Sequence, residues 1–191
     1  MPVTPFHYPI AYVVYKLRGS FSLPGLVVGS MVPDLEIPFL ALFSGTDASN
    51  RLVLHSLLGA ATAGTVLSVA IAVLVYPRLV SAIFPVDKLR VKEKCSFSIS
   101  LVVSCLLGGL SHVLLDVTNH AYNPVFWPFL SLYETPSSIV PLLGGEETAS
   151  LLMHALLAVL FISLFIYKRK NLWKSLLVEQ RVQRIMLISF G

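Results

Sequence analysis

The chain has 191 residues, 55% of them hydrophobic and 13% charged, against ~25% charged in soluble domains. A chain this short cannot hide so many apolar side chains in a water-soluble core, and its mean hydropathy of +0.79 points to an integral membrane protein. The net charge of +4 does not argue for nucleic acid, because the basic residues flank apolar runs and membrane topology accounts for them.

The opening segment, Pro9 to Leu17, is too short to cross a bilayer, which takes ~20 residues. It is expected to dip in from the surface or lie partly within a site. No basic n-region or cleavage site accompanies it, so no removable signal peptide is expected. Leu23 to Ser44 is apolar but interrupted by Pro24, Pro33-Asp34, Glu36 and Pro38, which predicts a broken or tilted helix. Three longer spans follow: Leu52 to Tyr76, Cys95 to about Asp116, and Ala149 to Tyr167. Cys95 and Cys105 fall together in the second, form no CxxC pattern, and read as small buried apolar residues. The expected fold is all-α: a polytopic helical bundle with four to five membrane segments and a long outer loop. Residues 1–170 form one membrane-embedded domain. After Lys170 the chain is basic and amphipathic, with Leu172, Trp173, Leu176 and Ile185 among charges, and residues 171–191 are expected to lie on the inner membrane surface.

Basic residues orient the spans. The Pro77 to Lys94 loop holds Arg78, Lys88, Arg90, Lys92 and Lys94, and the tail is similarly basic, so both are expected in the cytoplasm. Lys16 and Arg18 fit the same side, and only Arg51 is left on the other. The short loop Gly45 to Arg51 and the long loop Asn119 to Thr148 then lie outside. The long loop carries Phe126, Trp127, Phe129 and Tyr133, residue types suited to the membrane–water interface. Its length suggests function.

The chemistry-bearing side chains collect at that outer end. His112, Asp116 and His120 stand at i, i+4 and i+8 and share one helix face. Imidazole with carboxylate suits zinc or manganese, and ionisable groups at membrane depth are functional by default. The alternative is a capped helix end with His120 bonded to backbone. His55 is read one turn inside its span, at the depth of His112; alone it would be an interfacial histidine. Asp34 and Glu36 interrupt an apolar run with no basic residue near in sequence. Asp34 reads as a ligand, and Glu36 as either a support for the ligands or the general base. The alternative is a helix N-terminus favouring acidic groups. His154 has no ligating neighbour at i±4 and reads as packing or support. Neither GxSxG nor GxxxxGK[ST] occurs.

Thr-Pro-Phe-His (4–7), Gly-Ser-Met-Val-Pro-Asp (29–34), His-Ser-Leu-Leu-Gly (55–59) and Ser-His-Val-Leu-Leu-Asp (111–116), with Trp-Pro-Phe (127–129), occur in an order that resembles a family of membrane-bound metal-dependent hydrolases. The resemblance covers residues 1 to about 130. It implies metal ligation by His7, Asp34, His55, His112 and Asp116. The ligand order is also similar to that of the zinc-dependent phospholipase C and nuclease fold. A later HxxxE of that fold is missing, because Ala158 stands four residues after His154, so one or two ions are expected rather than three.

Together these readings predict a metal-dependent hydrolase at the outer membrane–water interface. Its ligands would be Asp34, His55, His112 and Asp116, with His7 and His120 joining, and Glu36 as a candidate catalytic base. Zinc is the expected ion, with manganese the alternative. Membrane lipid is the expected partner, and a lipid or lipid-linked phosphoester the expected substrate. Two other classes stay open: a metal-ion or proton transporter, and a non-catalytic membrane protein with a structural metal site.

Overall fold

The long apolar runs form helices whose ends are set by a few capping and proline residues. The computed structural model describes residues 4–44 and 51–168. Among them every regular element is helical, and β structure is limited to one isolated bridge between Tyr122 and Pro136. Four helices are long and apolar enough to cross a membrane: Leu23–Phe43, Leu57–Leu74, Ile99–Asp116 and Glu146–Lys168. The expected surface tail, 171–191, lies outside the described residues.

A 3-10 turn, Thr4–His7, leads into α1, Tyr8–Leu17. The broken helix is as the prolines require. α2, Leu23–Met31, stops where Pro33 cannot donate a backbone N–H; a 3-10 turn, Pro33–Leu35, follows, and α3 resumes at Glu36–Ser44. α4, Leu57–Leu74, is shorter at both ends than the sequence suggested. Ser56 caps it, its hydroxyl accepting the Gly59 N–H at 2.9 Å; at the far end a separate helix, α5, Tyr76–Ile83, begins just before Pro77. His55 therefore sits in the turn before the helix, not one turn inside it. α4 also contains a π turn, Ala60–Gly64.

The basic loop holds a further short helix, α6, Lys88–Lys94, capped by Asp87. α7, Ile99–Asp116, starts where Ser98 accepts the Leu101 N–H. Cys95 is thus the residue that ends α6 and does not share a span with Cys105, as the sequence reading had it. α8, Glu146–Lys168, begins earlier than expected, with Glu146 and Glu147 in the first turn, where the helix dipole favours acids. Gly144 and Gly145, at φ +89° and +97°, supply the left-handed turn that introduces it.

α2 and α7 cross backbone against backbone. A Cβ on Gly29 would lie 2.2 Å from the Cys105 carbonyl oxygen, and one on Gly108 would lie 2.4 Å from that of Leu26. Around this crossing Ala11, Leu23, Leu26, Leu101 and Cys105 are fully buried. α8 differs: only 11% of its apolar window is buried, and Leu151, Leu152, Val159 and Ile166 stand exposed.

Candidate metal centre

Five side chains from four parts of the chain meet at one end of the bundle. His7 comes from the turn before α1, Asp34 from the break between α2 and α3, and His55 from the turn before α4. His112 and Asp116 come from the last turns of α7. All five are buried. Potential ligand atoms of His7, His112 and Asp116 lie within 4.8 Å of one another, and so do those of Asp34, His55 and His112.

The close helix crossing positions His112. Because Gly29 and Gly108 allow contact, His112 Nδ1 donates to the Ser30 carbonyl at 2.8 Å, one of the last carbonyls of α2, where a helix end frees acceptors. A carbonyl only accepts, so Nδ1 carries the proton and Nε2 of the neutral ring keeps its lone pair. That Nε2 stands 3.6 Å from Asp34 Oδ1 and 3.6 Å from Asp116 Oδ2. His55 repeats the pattern. Its Nδ1 meets Glu36 Oε2 at 3.0 Å, and its Nε2 faces Asp34 Oδ1 at 3.9 Å and Asp116 Oδ2 at 3.8 Å. The His7 ring stacks on that of His112, with centroids 4.1 Å apart.

These separations exceed a hydrogen bond. Two ligands each ~2.0–2.2 Å from one ion stand roughly 3–4 Å apart, so the spacing suits a shared ion. Nε2 of His7, His55 and His112 and both carboxylate oxygens of Asp116 are buried with no hydrogen-bond partner among the described residues. Buried polar atoms are normally satisfied, and an oxygen–nitrogen set without thiolate suits zinc or manganese. The residues present therefore fit a divalent ion.

Glu36 stands behind His55, against the turn before α4. Its carboxylate accepts the backbone N–H groups of Leu52, Val53 and Leu54 at 2.7–3.2 Å as well as holding His55. Both oxygens are committed, so Glu36 fixes the His55 ring and the turn that carries it, the supporting role the sequence also allowed. His120 is in neither ligand group. Its Nδ1 meets Glu146 Oε1 at 3.0 Å, which joins the end of α7 to the start of α8. His154 turns its Nδ1 back to the Ser150 carbonyl at 2.6 Å and packs edge-on against Phe6, away from the centre.

Burial, with the neighbouring His112 ring adding to it, lowers the His7 pKa from its ordinary 6.5 to about 4. At neutral pH this ring is free to ligate. Burial also opposes a charged His55, but the carboxylates of Asp34 and Glu36 outweigh it and raise its pKa. Without metal, the carboxylates around His55 favour its protonated form.

A family described only as a domain of unknown function, DUF4184, matches residues 1–190. The chain belongs to the DUF4184 family. No curated protein and no solved structure matches it. In this DUF4184 chain one functional candidate escaped sequence reasoning. Arg51, read only as the single basic residue on the outer face, is half-buried and within electrostatic reach of Asp116, Asp34 and Glu146. The signal available was its place four residues before His55; its spatial neighbours come from distant segments and leave no local pattern.

Proposed function

We propose that this DUF4184 chain is a membrane-embedded hydrolase that depends on one divalent metal ion and acts on a lipid or lipid-linked phosphoester at the membrane–water interface. The observation that carries it is the convergence of three unpartnered Nε2 atoms and the Asp34 and Asp116 carboxylates, with two of the rings tied back through Nδ1. Such outer bonds are what orient histidine ligands in metalloenzymes. The motif order's resemblance to membrane-bound metal-dependent hydrolases supports the same reading.

Each residue has a defined task. Asp34, His55, His112, Asp116 and His7 hold the ion, zinc or manganese. One ion is favoured because His112 belongs to both ligand groups yet offers a single free nitrogen. Bound there, a divalent ion supplies Lewis acidity, which lowers the pKa of water and polarises a phosphoryl oxygen. Glu36 and the Ser30 carbonyl position the His55 and His112 rings. Arg51 binds the phosphoryl oxygens, a task its planar fork of donors suits. The apolar, largely exposed α8 faces lipid. The basic loop 77–94 lies in the cytoplasm, and the metal centre at the opposite surface.

The test is hydrolysis of a panel of lipid phosphoesters in mixed micelles by the metal-loaded protein. The expected result is turnover that chelation stops and zinc or manganese restores, lost in His55→Ala. Arg51→Ala should raise KM more than it lowers kcat. Turnover that survives chelation, or none across the panel from fully loaded protein, would contradict the hydrolase reading.

A further inference from the structure

A cavity of about 460 Å³ opens in the segment between α7 and α8, within the ~300–1,000 Å³ range of ligand pockets. Its walls include Val117, Val125, Phe126, Leu130 and Ile139, beside five polar residues, Asn123 and Glu134 among them. The segment is strapped to the metal-bearing elements. Ser137 donates its hydroxyl to the Val117 carbonyl at 2.6 Å, and the Leu57 N–H donates to the Val125 carbonyl at 2.9 Å. Val117 directly follows Asp116 and ends α7. The cavity thus begins at the residue that follows Asp116 in the chain.

We propose that this cavity seats one hydrocarbon chain of a membrane lipid, which would hold that lipid's headgroup phosphoester towards the metal centre. The second half of this statement rests on the hydrolase reading. Two observations select a lipid chain as occupant. The cavity lies between the ends of two helices long and apolar enough to cross a membrane, Ile99–Asp116 and Glu146–Lys168, which puts it at the bilayer surface. Phe126, Leu130 and Ile139 line it and are 53%, 39% and 41% exposed, which makes an apolar lip that a chain can cross without meeting water. A water-soluble phosphoester would use neither the apolar walls nor the lip.

The full-length protein, reconstituted in phosphatidylcholine vesicles doped with phosphatidylglycerol bearing a diazirine on its acyl chain, is irradiated, digested and mapped by mass spectrometry. Adducts are expected to concentrate on residues 117–139. Ser138 lines the cavity and its side chain makes no capping hydrogen bond. Filling the space with Ser138→Trp should therefore cut those adducts about tenfold. Leu152→Trp on the exposed face of α8 should leave them unchanged, and Leu130→Trp serves if Ser138→Trp does not fold. Adducts spread evenly over the exposed helices, or adducts in 117–139 that both filling variants leave intact, would overturn the proposal. Metal content of the same samples separates the two readings. Metal without focused adducts overturns the chain seat alone; focused adducts in a protein that takes up no metal overturn the hydrolase reading and support the seat.

Discussion

Glu36 shows how a single residue governs the centre from outside it. Its carboxylate receives three backbone N–H groups and the His55 ring. Glu36→Gln keeps the shape but removes the charge, and should weaken metal affinity by about 10–100-fold, measured by chelator competition. His112→Ala, which removes a ligand, should abolish binding. A Glu36→Gln protein with full affinity would remove the positioning role. Protonation adds a second test. The raised His55 pKa stabilises the metal-free fold below 6.5, and that stabilisation is lost as pH rises through the folded-state pKa. The lowered His7 pKa acts on the other side, costing stability as pH falls from 6.5 towards about 4. A divalent ion competes with the proton that the carboxylates favour on His55, so uptake should release protons, read from the buffer dependence of the binding heat, and affinity should fall as the pH is lowered. A binding heat independent of buffer would contradict this. The candidate ligands stood out in the sequence because acids and imidazoles are rare in an apolar chain, and the structure brings five of them together. Glu36's supporting role was left open there, because the N–H groups it accepts come from a turn across the fold.

At the scale of elements, the α2–α7 crossing brings the Ser30 carbonyl to His112. Gly108→Val would push a side chain into the Leu26 carbonyl and the Ser30 N–H. Overpacking of this kind costs ~1–3 kcal/mol or more, so Tm in detergent should fall and metal be lost together. Ala at Gly109, whose added Cβ would meet only ordinary contacts beyond 3.5 Å, should retain both. Unchanged metal in Gly108→Val would show that the crossing does not position the site. Gly108-Gly109 marked a close contact in the sequence, but the partner helix was not legible, since packing between distant segments has no local signature. Helix limits were blurred for a related reason. Ser56 and Ser98 are caps that an unbroken apolar run conceals, and so His55 and Cys95 were drawn into spans they precede.

For the molecule as a whole, one end gathers the candidate metal centre and the proposed lipid-chain cavity, and the other the basic loop. Single cysteines introduced at Phe129, 80% exposed, and at Leu89, 76% exposed, in a Cys95→Ala, Cys105→Ala background, report this arrangement. In intact cells a membrane-impermeant maleimide should label the Phe129→Cys protein, and the Leu89→Cys protein only after permeabilisation. The reverse pattern would invert the topology. The all-helical architecture and the four apolar helices were legible from composition and run length, because lipid-compatible segments must satisfy their own backbone. The strapping of the long loop onto α4 and α7, which builds the cavity, was not.

The central claim is a single divalent ion shared by His7, Asp34, His55, His112 and Asp116. Its most direct test is elemental analysis of the protein purified in mild detergent without chelator, beside His112→Ala and Asp116→Ala, with circular dichroism to establish that each variant keeps its helices. About one zinc or manganese per chain is expected in the wild type, lost from both helical variants. No bound metal even after reloading, or full metal in both variants, would contradict it.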